Sequence, residues 1–309
     1  MPMLTTAPPL PILRNAPIPT WFGIGGGADR FLAPTDLDQL KAALALDPAL
    51  RILGDGANLL IDDDGVGELV IALTAPHFTR TEWDDKAATV RVGAGANLPK
   101  LINESVRRGL GGLETLGGIP ASLGGAARMN AGGAFGEIAT SIARVHGLDR
   151  QGREVTLARN QINFSYRHSG LDDLIITAVD LQLTPQDPAA LRQKHRDVMA
   201  YKSKSQPMAD RSAGCVFKNP TLTEDLKDIG ARGTRVSAGM LIDKAGCKGM
   251  TNGGASVSQR HGNFIVTDPK TAKARHVIDL MDQVAARVHD AFGVRLHPEV
   301  VIWQRTSSR

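Results

Sequence analysis

The stretch GGLETLGGIPASLGG at residues 111–125, continued by MNAGG at 129–133, decides the fold of this chain. Its glycines are mixed with apolar residues and almost no charge, whereas a flexible linker is rich in serine and other polar residues. Backbone without side chains can lie flat against a diphosphate or a ring system and donate its N–H groups. The stretch therefore predicts a bulky ligand with phosphates. Taken alone, it is also compatible with a glycine-rich turn region packed on itself.

Two shorter loops have the form Gly-x-Gly after a predicted strand, at residues 54–58 and 93–97. A dinucleotide-binding Rossmann loop continues to a third glycine, but Leu59 and Leu98 stand at that position here. The Rossmann fingerprint is therefore not met. Each loop is at the least a tight turn that follows a strand.

The composition excludes several classes of protein. The chain has 309 residues, of which 42% are apolar and 22% charged, as in a globular protein with a sizeable core. No apolar run approaches the ~18 residues of a membrane span, and the proline-rich start is unlike a secretory signal. The net charge of +4 comes from scattered basic residues, which is unlike a nucleic-acid-binding protein and suits an anionic small molecule.

The number and spacing of the cysteines indicate the cellular compartment of the protein. Cys215 and Cys247 are the only cysteines of the sequence, so neither a disulfide framework nor a Cys-x-x-Cys metal site is available. We therefore expect a cytoplasmic protein with no bound metal, no membrane contact and no obligatory protein partner.

Periodicity and capping residues predict a mixed α+β chain without internal repeats. Asp268 is expected to cap the last helix and Pro269 to lie in its first turn. The six prolines of residues 1–19 predict an extended, poorly ordered lead-in. A domain boundary is expected near residues 185–205. The predicted helices span 36–46, 97–109, 188–204 and 269–292, and the predicted strands span 51–53, 69–72, 89–92, 174–183 and 300–303.

Several motifs occur in one order along most of the chain. With them the sequence resembles the UDP-N-acetylenolpyruvoylglucosamine reductase family, flavoenzymes of peptidoglycan precursor synthesis. The motifs are LGDGANLL (53–60), GLETLGGIP (112–120), MNAGG (129–133), YRHS (166–169), SAGCVFKNP (212–220), AGMLID (238–243), HGNFIV (261–266) and PEV (298–300).

The resemblance implies the fold and the domain organisation. It implies an α+β protein in which residues 20–187 form a FAD-binding domain of the vanillyl-alcohol-oxidase (PCMH) type with two subdomains. Residues 188–309 would form a C-terminal α+β substrate-binding domain. The short distance from the YRHS motif to the strand at 174–183 is similar to the family's shorter variant, which lacks an extra substrate-covering insertion.

The resemblance also implies bound FAD, NADPH as hydride donor, and a UDP-sugar substrate. The cofactor would be reduced by NADPH and would then reduce the enolpyruvyl double bond of the UDP-sugar. The residues that match the family's cofactor site are Gly54, Gly56, Ala57, Asn58, Leu59, Gly117, Gly118, Ile119, Pro120, Gly124, Gly125, Asn130 and Ala131.

Three residues match the family's catalytic positions. Arg167 would hold the substrate carboxylate, because a guanidinium is always charged and can bind two oxygens at once. Glu299 would complete the site as an acid, which requires a pKa raised by partial burial. Cys215 stands where many relatives have a proton-donating serine, and a thiol is a stronger acid than a hydroxyl. Without the motifs, these residues would be a surface arginine paired with Asp172 or Asp173, a solvated carboxylate and a buried thiol.

The resemblance implies that Tyr166, Lys202, Lys218 and Asn219 bind the substrate, with Lys202 near the diphosphate. A solvated helix face explains Lys202 almost as well. The expected function is NADPH-dependent, FAD-mediated reduction of UDP-N-acetyl-3-O-(1-carboxyvinyl)glucosamine to UDP-N-acetylmuramate. Two alternatives stay open. One is another FAD-dependent sugar or lactone oxidoreductase of the same superfamily, and the other is a flavin-binding homologue with impaired catalysis.

Overall fold

The structure is a computed structural model in which residues 10–305 are described. Up to residue 187 it is rich in strands. The helices of this part are α1 (Leu37–Leu46), α2 (Pro76–Thr79), α3 (Leu98–Arg108) and α4 (Leu123–Arg128). Its strands are β1 (Leu13–Ala16), β2 (Ala28–Leu32), β3 (Arg51–Leu53), β4 (Leu59–Ile61), β5 (Val66–Ala72), β6 (Thr81–Asp84), β7 (Thr89–Gly93), β8 (Leu110–Gly111), β9 (Gly132–Gly133), β10 (Gly136–Glu137), β11 (Ile142–Leu148), β12 (Glu154–Ala158), β13 (Ile175–Gln182) and β14 (Thr184–Pro185).

Two sheets organise this first part. One has the order β1-β2-β5-β3, with β2, β5 and β3 parallel and β1 antiparallel at the edge. The other has the order β12-β11-β13-β7-β6 and is antiparallel throughout. Helix α4 packs on β13 and β7 of the second sheet. The glycine-rich stretch predicted to bind a ligand therefore leads directly into a helix that lies on this sheet.

The second part has fewer and shorter strands. Its helices are α5 (Pro188–Ser205), α6 (Ala238–Lys244) and α7 (Ala274–Phe292), and its strands are β15 (Thr251–Asn252), β16 (Ala255–Val257), β17 (Ile265–Thr267) and β18 (Val301–Trp303). Strands β15, β16 and β17 form a small antiparallel sheet. Helix α7 buries Val277, Leu280, Met281, Val284 and Val288. None of the helices within residues 10–305 is long and apolar enough to cross a membrane.

Two elements of the second part pack on the first. Strand β18 pairs in parallel with β4, so that Val301 lies opposite Leu59. Helix α5 contributes Leu191 to the hydrophobic core of the first part, and its Lys194 forms a 2.6 Å ion pair with the buried Glu114. Because α5 packs on the first part, we propose the domain boundary after residue 205, and not at residue 187 as the sequence analysis expects.

Two sequence-based predictions of local structure are wrong. Helix α7 begins at Ala274, because Asp268 forms a turn with residues 270–272 and does not act as a helix cap. The second half of the predicted lead-in is not poorly ordered: Leu13–Ala16 pairs with Ala28–Leu32 in the first sheet. The first half of the lead-in, residues 1–9, lies outside the described residues.

Candidate functional site

The three glycine loops predicted from the sequence lie against one another. A Cβ atom placed on Gly54 would lie 2.8 Å from the Ser122 Oγ, and one placed on Gly124 would lie 2.8 Å from the Ala94 Cβ. The Asn97 side chain, which caps helix α3, donates to Asp55 over 3.4 Å. A side chain at Gly54 or Gly124 would collide with the facing loop, so glycine allows the loops to approach this closely.

The surface that these loops form fits FAD. Within residues 10–305, the backbone N–H groups of Asp55, Gly56, Ala57 and Gly118 donate to no protein acceptor. Gly56 and Gly118 have φ angles of +64° and +72°, which are strained for any residue with a side chain. Free N–H donors on a backbone with few side chains suit a diphosphate and a flat ring. Of the other predicted cofactor residues, Gly117, Ile119 and Pro120 lie on the same loop as Gly118, and Gly125 lies in the first turn of helix α4.

One cofactor loop is tied directly to the segment that carries Glu299. The Asn58 side chain donates to the Glu299 carbonyl oxygen at 3.1 Å, and the Val301 N–H donates to the Asn58 carbonyl oxygen at 3.0 Å. The Leu59 side chain is buried among apolar residues, which leaves only its backbone for a ligand. These contacts place the predicted cofactor loop beside a predicted catalytic residue that lies 241 positions away.

Asn130 holds the loop that carries Arg167. Its side chain is fully buried, donates to the Ser165 carbonyl oxygen at 2.9 Å and accepts the Ala139 N–H at 3.2 Å. Its carboxamide is therefore engaged within the protein, whereas the sequence analysis assigns it to the cofactor. The neighbouring Ala131 is partly buried against the core.

Arg167 and Glu299 form the centre of the site. The Arg167 Nε donates to the Glu299 Oε1 at 2.5 Å, and its Nη2 donates to the Gly132 carbonyl oxygen at 2.9 Å. The side chains are only 18% and 12% exposed. Burial raises the pKa of Glu299, while Arg167 acts in the opposite direction. The alternatives of a surface arginine and a solvated carboxylate are therefore wrong, and Asp172 pairs instead with Arg128.

Cys215 lies beside this pair and is protonated at neutral pH. Burial and the Glu299 carboxylate raise the pKa of Cys215 to about 12, although Arg167, Asn263 and Lys202 act in the opposite direction. The thiol is thus a weaker acid than its reference pKa of ~8.5 predicts. The expectation that the Cys215 thiol is a good acid relied on the residue type alone. The residue type contains no information on burial, which raises the pKa here.

A buried asparagine fixes the segment that follows Cys215. The Asn263 side chain is 1% exposed, accepts the Phe217 N–H at 3.0 Å and donates to the Phe217 carbonyl oxygen at 2.8 Å. The Glu299 N–H donates to the Val216 carbonyl oxygen at 2.8 Å. Cys215 and Glu299 are therefore held on adjacent segments. No role for Asn263 follows from the sequence, although the residue lies within the HGNFIV motif.

The predicted substrate residues surround this centre. The Lys218 N–H donates to the His297 carbonyl oxygen at 2.8 Å. The Asn219 N–H donates to the Tyr166 hydroxyl at 3.3 Å, which links the two predicted substrate segments. The guanidinium groups of Arg167 and Arg235 lie 5.0 and 4.2 Å from the centroid of the Tyr166 ring. Arg235 has no motif that could have identified it.

Lys202 also faces the centre, from helix α5. It is 8% exposed, so the alternative of a solvated helix face is wrong. Its Cδ and Nζ would lie 3.0 and 3.8 Å from a Cβ atom placed on Gly118. Burial and the charge of Arg167 lower the pKa of Lys202 to about 8. A cofactor loop, a buried cation and the Arg167–Glu299–Cys215 centre thus meet at one place.

Comparisons with known proteins agree with this arrangement. Residues 206–303 match the family described as UDP-N-acetylenolpyruvoylglucosamine reductase, C-terminal domain, and residues 28–158 match the family described as FAD binding domain. These matches confirm the predicted α+β fold with a FAD-binding domain.

Individual relatives cover nearly the whole chain. UDP-N-acetylenolpyruvoylglucosamine reductase 2 of Symbiobacterium thermophilum is 41% identical over 286 residues, which are 91% of this chain and 87% of that protein. The reductase of Paramagnetospirillum magneticum is 35% identical over 285 residues, again 91% and 87%. The crystal structure of UDP-N-acetylenolpyruvylglucosamine reductase (MurB) from Thermus caldophilus superposes with a TM-score of 0.76 at 37% identity, over 92% of this chain and 95% of that one.

Proposed function

The chain belongs to the UDP-N-acetylenolpyruvoylglucosamine reductase family, and we propose that it reduces the enolpyruvyl group of UDP-N-acetyl-3-O-(1-carboxyvinyl)glucosamine with NADPH through FAD. The observation that carries the proposal is the buried Arg167–Glu299 ion pair with Cys215 beside it. The pair lies next to the glycine loops that fit FAD. The product would be UDP-N-acetylmuramate, a precursor of peptidoglycan.

When bound, FAD supplies a two-electron carrier that takes hydride from NADPH and delivers it to the double bond of the UDP-sugar. Asp55, Gly56, Ala57 and Gly118 would hold it through their free N–H groups.

Arg167 stabilises the negative charge that develops on the substrate. Charge builds on the carbon beside the carboxylate and spreads into the carboxylate oxygens, where a fixed cation acts most strongly. Of the five N–H donors of the guanidinium, one is used for Glu299 and one for Gly132. Among the residues that the structure describes, the remaining donors have no protein acceptor and can bind the carboxylate, and Glu299 and Gly132 fix the orientation of the group.

Cys215 donates the proton that completes the reduction. Its pKa of about 12 keeps the thiol protonated at neutral pH, so the proton is available when the carbon becomes basic. The thiolate that remains is stabilised by Arg167 and Lys202, whose charges favour the ionised form. It regains a proton from solvent before the next turnover.

The test of this function is substrate-dependent NADPH oxidation. The purified, FAD-loaded protein should oxidise NADPH under anaerobic conditions in proportion to added UDP-N-acetyl-3-O-(1-carboxyvinyl)glucosamine, with one UDP-N-acetylmuramate formed per NADPH. Turnover with oxygen alone, and none with the UDP-sugar, would instead indicate an oxidase of the same superfamily. No turnover by a fully FAD-loaded protein would indicate an impaired homologue.

The Asn130 side chain is expected to affect the catalytic rate indirectly, because it positions the loop that carries Arg167. An Asn130→Gly variant keeps the backbone free to adopt the native φ of +42° and loses the hydrogen bonds to Ser165 and Ala139. We expect a ~10- to 100-fold lower kcat, because small displacements of a binding group are costly in catalysis. The FAD content should stay at the wild-type level.

The control for this variant is Asn252→Gly. The Asn252 side chain also donates to a backbone carbonyl oxygen, that of His276, at 3.2 Å. It should lower kcat less than twofold. A loss of FAD in Asn130→Gly at unchanged stability would contradict the positioning role and support a direct cofactor contact.

The cellular location is also part of the proposal. Cys215 and Cys247 are free thiols, which supports a reducing cytoplasm.

The specificity for NADPH is tested by the assay of substrate-dependent oxidation, with NADH in place of NADPH.

A further inference from the structure

Lys202 is a buried cation with no anionic partner. Among residues 10–305, no carboxylate pairs with its ammonium group, although it is only 8% exposed. The charged groups that act on it are Arg167, which repels it, and Cys215, which is a neutral thiol at pH 7. Lysine is rarely buried without a partner, because desolvation of the charge is not compensated.

Among residues 10–305, the buried charges of the site leave one cation, Lys202, without an anionic partner. The Glu299 carboxylate is engaged with Arg167 at 2.5 Å, so these two groups cancel. Lys202 then adds a second cation to a buried space that already contains a guanidinium. An anion bound between Lys202 and Arg167 would remove the repulsion and stabilise both groups.

We propose that Lys202 is, together with Arg167, a binding group for the substrate carboxylate, and that the substrate binds together with a proton on Lys202. This assignment rests on the proposed function. It places Lys202 at the reacting end of the substrate, whereas the resemblance assigns a basic residue at this position to the diphosphate. The Gly118 backbone beside Lys202 keeps its ammonium group close to the cofactor loop.

The titration of Lys202 provides a direct test. Its pKa of about 8 in the free site means that about half of the molecules lack this charge at pH 8. An anion at Lys202 raises that pKa, so binding takes up a proton from solvent. Affinity is then full below pH 8 and falls as pH rises through and above that value.

Other groups that face Lys202 do not titrate in this window. The pKa of Cys215 is about 12, and Arg167 stays charged at any accessible pH. On the same helix, burial lowers the pKa of His195, so this residue is neutral near pH 8. Burial also raises the pKa of Glu299, and Arg167 acts against this shift. Uptake by Glu299 would persist when Lys202 is replaced, so proton uptake that the Lys202 variants lose reports Lys202.

The experiment is isothermal titration of the FAD-loaded, oxidised enzyme with UDP-N-acetyl-3-O-(1-carboxyvinyl)glucosamine, without NADPH, in two buffers of different ionisation enthalpy. We expect an uptake of ~0.1 proton at pH 7, ~0.5 at pH 8 and ~0.9 at pH 9, as a pKa of about 8 requires. UDP-N-acetylglucosamine has the same diphosphate without the carboxylate and should give no uptake.

Three variants separate the possibilities. Lys202→Arg should bind the substrate without proton uptake, because its charge is permanent. Lys202→Met should also show no uptake and should bind at least 10-fold more weakly at pH 7. Lys204→Met removes an exposed lysine of the same helix and should behave as the wild type.

Specific results would overturn the inference. Equal enthalpies in both buffers at pH 8 for a wild-type enzyme that turns over the substrate would refute it and leave the proposed function intact. Equal uptake with UDP-N-acetylglucosamine would assign Lys202 to the diphosphate. A wild-type protein that neither binds nor reduces the substrate would refute the proposed function as well.

Discussion

Replacement of Cys215 by alanine is expected to slow the oxidation of the reduced enzyme by the UDP-sugar ~10²- to 10⁴-fold, the usual contribution of a positioned general acid. The preceding reduction by NADPH should stay within about twofold of the wild-type rate, because no proton is required from Cys215 in that step. Stopped-flow absorbance in the flavin bands follows the two half-reactions separately. A variant that is reoxidised at the wild-type rate would exclude Cys215 as the proton donor.

The pH dependence gives a second readout of the same residue. A donor must be protonated to act, so its contribution is present below its pKa and lost above it. Since the pKa of Cys215 is about 12, the reoxidation rate should show no loss near pH 8.5 from this group. A thiol with its reference pKa of ~8.5 would lose half of its contribution there.

Two further variants serve as controls. Cys215→Ser retains a proton-bearing group at the same atom and should keep most of the rate. Cys247→Ala removes the other free thiol, which is buried in the C-terminal core, and should leave both half-reactions unchanged. A rate loss in Cys247→Ala equal to that in Cys215→Ala would indicate a general effect of thiol removal.

Local sequence patterns predicted those elements whose boundaries are set by neighbouring residues. Helix α3 begins after Asn97, whose side chain accepts the Lys100 N–H, and ends at Gly109 with a φ of +72°. Helix α1 is likewise capped by Asp36. In these cases the capping residue lies within four positions of the group that it satisfies, so the sequence contains the whole signal.

The start of helix α7 could not be predicted, because its capping group comes from elsewhere in the chain. Asp63 accepts the N–H groups of Ala274 and Arg275 at 2.7 and 3.1 Å, across more than 200 residues. Asp268 and Pro269 form a common helix-start signal, but the Asp268 side chain accepts the Lys270 N–H in a turn. An aspartate that caps a helix and one that closes a turn use the same short-range hydrogen bond.

In the candidate site too, features set by neighbouring residues could be predicted from the sequence, whereas contacts between distant residues could not. The glycine loops could be recognised from the sequence, because segments that approach one another closely require glycine at the points of contact. The Arg167–Glu299 pair joins residues 132 positions apart, and only the family resemblance placed them together. The contact of Asn263 with Phe217 joins residues 46 positions apart. Arg235 and Lys202 contact Tyr166 and Gly118, respectively, in the first part of the chain. No local pattern encodes these contacts.

Replacement of Arg167 by methionine is expected to lower kcat/KM at least ~10³-fold, because both the binding of the carboxylate and the stabilisation of its developing charge are lost. It also leaves the buried Glu299 carboxylate without its cation. Loss of one partner of a buried pair typically costs ~3–5 kcal/mol of stability, so thermal unfolding should be measured on the same samples.

The Arg167→Met/Glu299→Gln double variant separates catalysis from folding. It removes both charges, and we expect it to recover most of the lost stability while kcat/KM stays at least ~10³-fold below wild type. Arg167→Lys keeps the charge but loses the second oxygen contact and the hydrogen bonds to Glu299 and Gly132, so an intermediate loss is expected. Arg153→Met, which breaks an exposed 2.6 Å ion pair with Asp149, should change kcat/KM less than twofold. A stable double variant with wild-type kcat/KM would refute the role of Arg167.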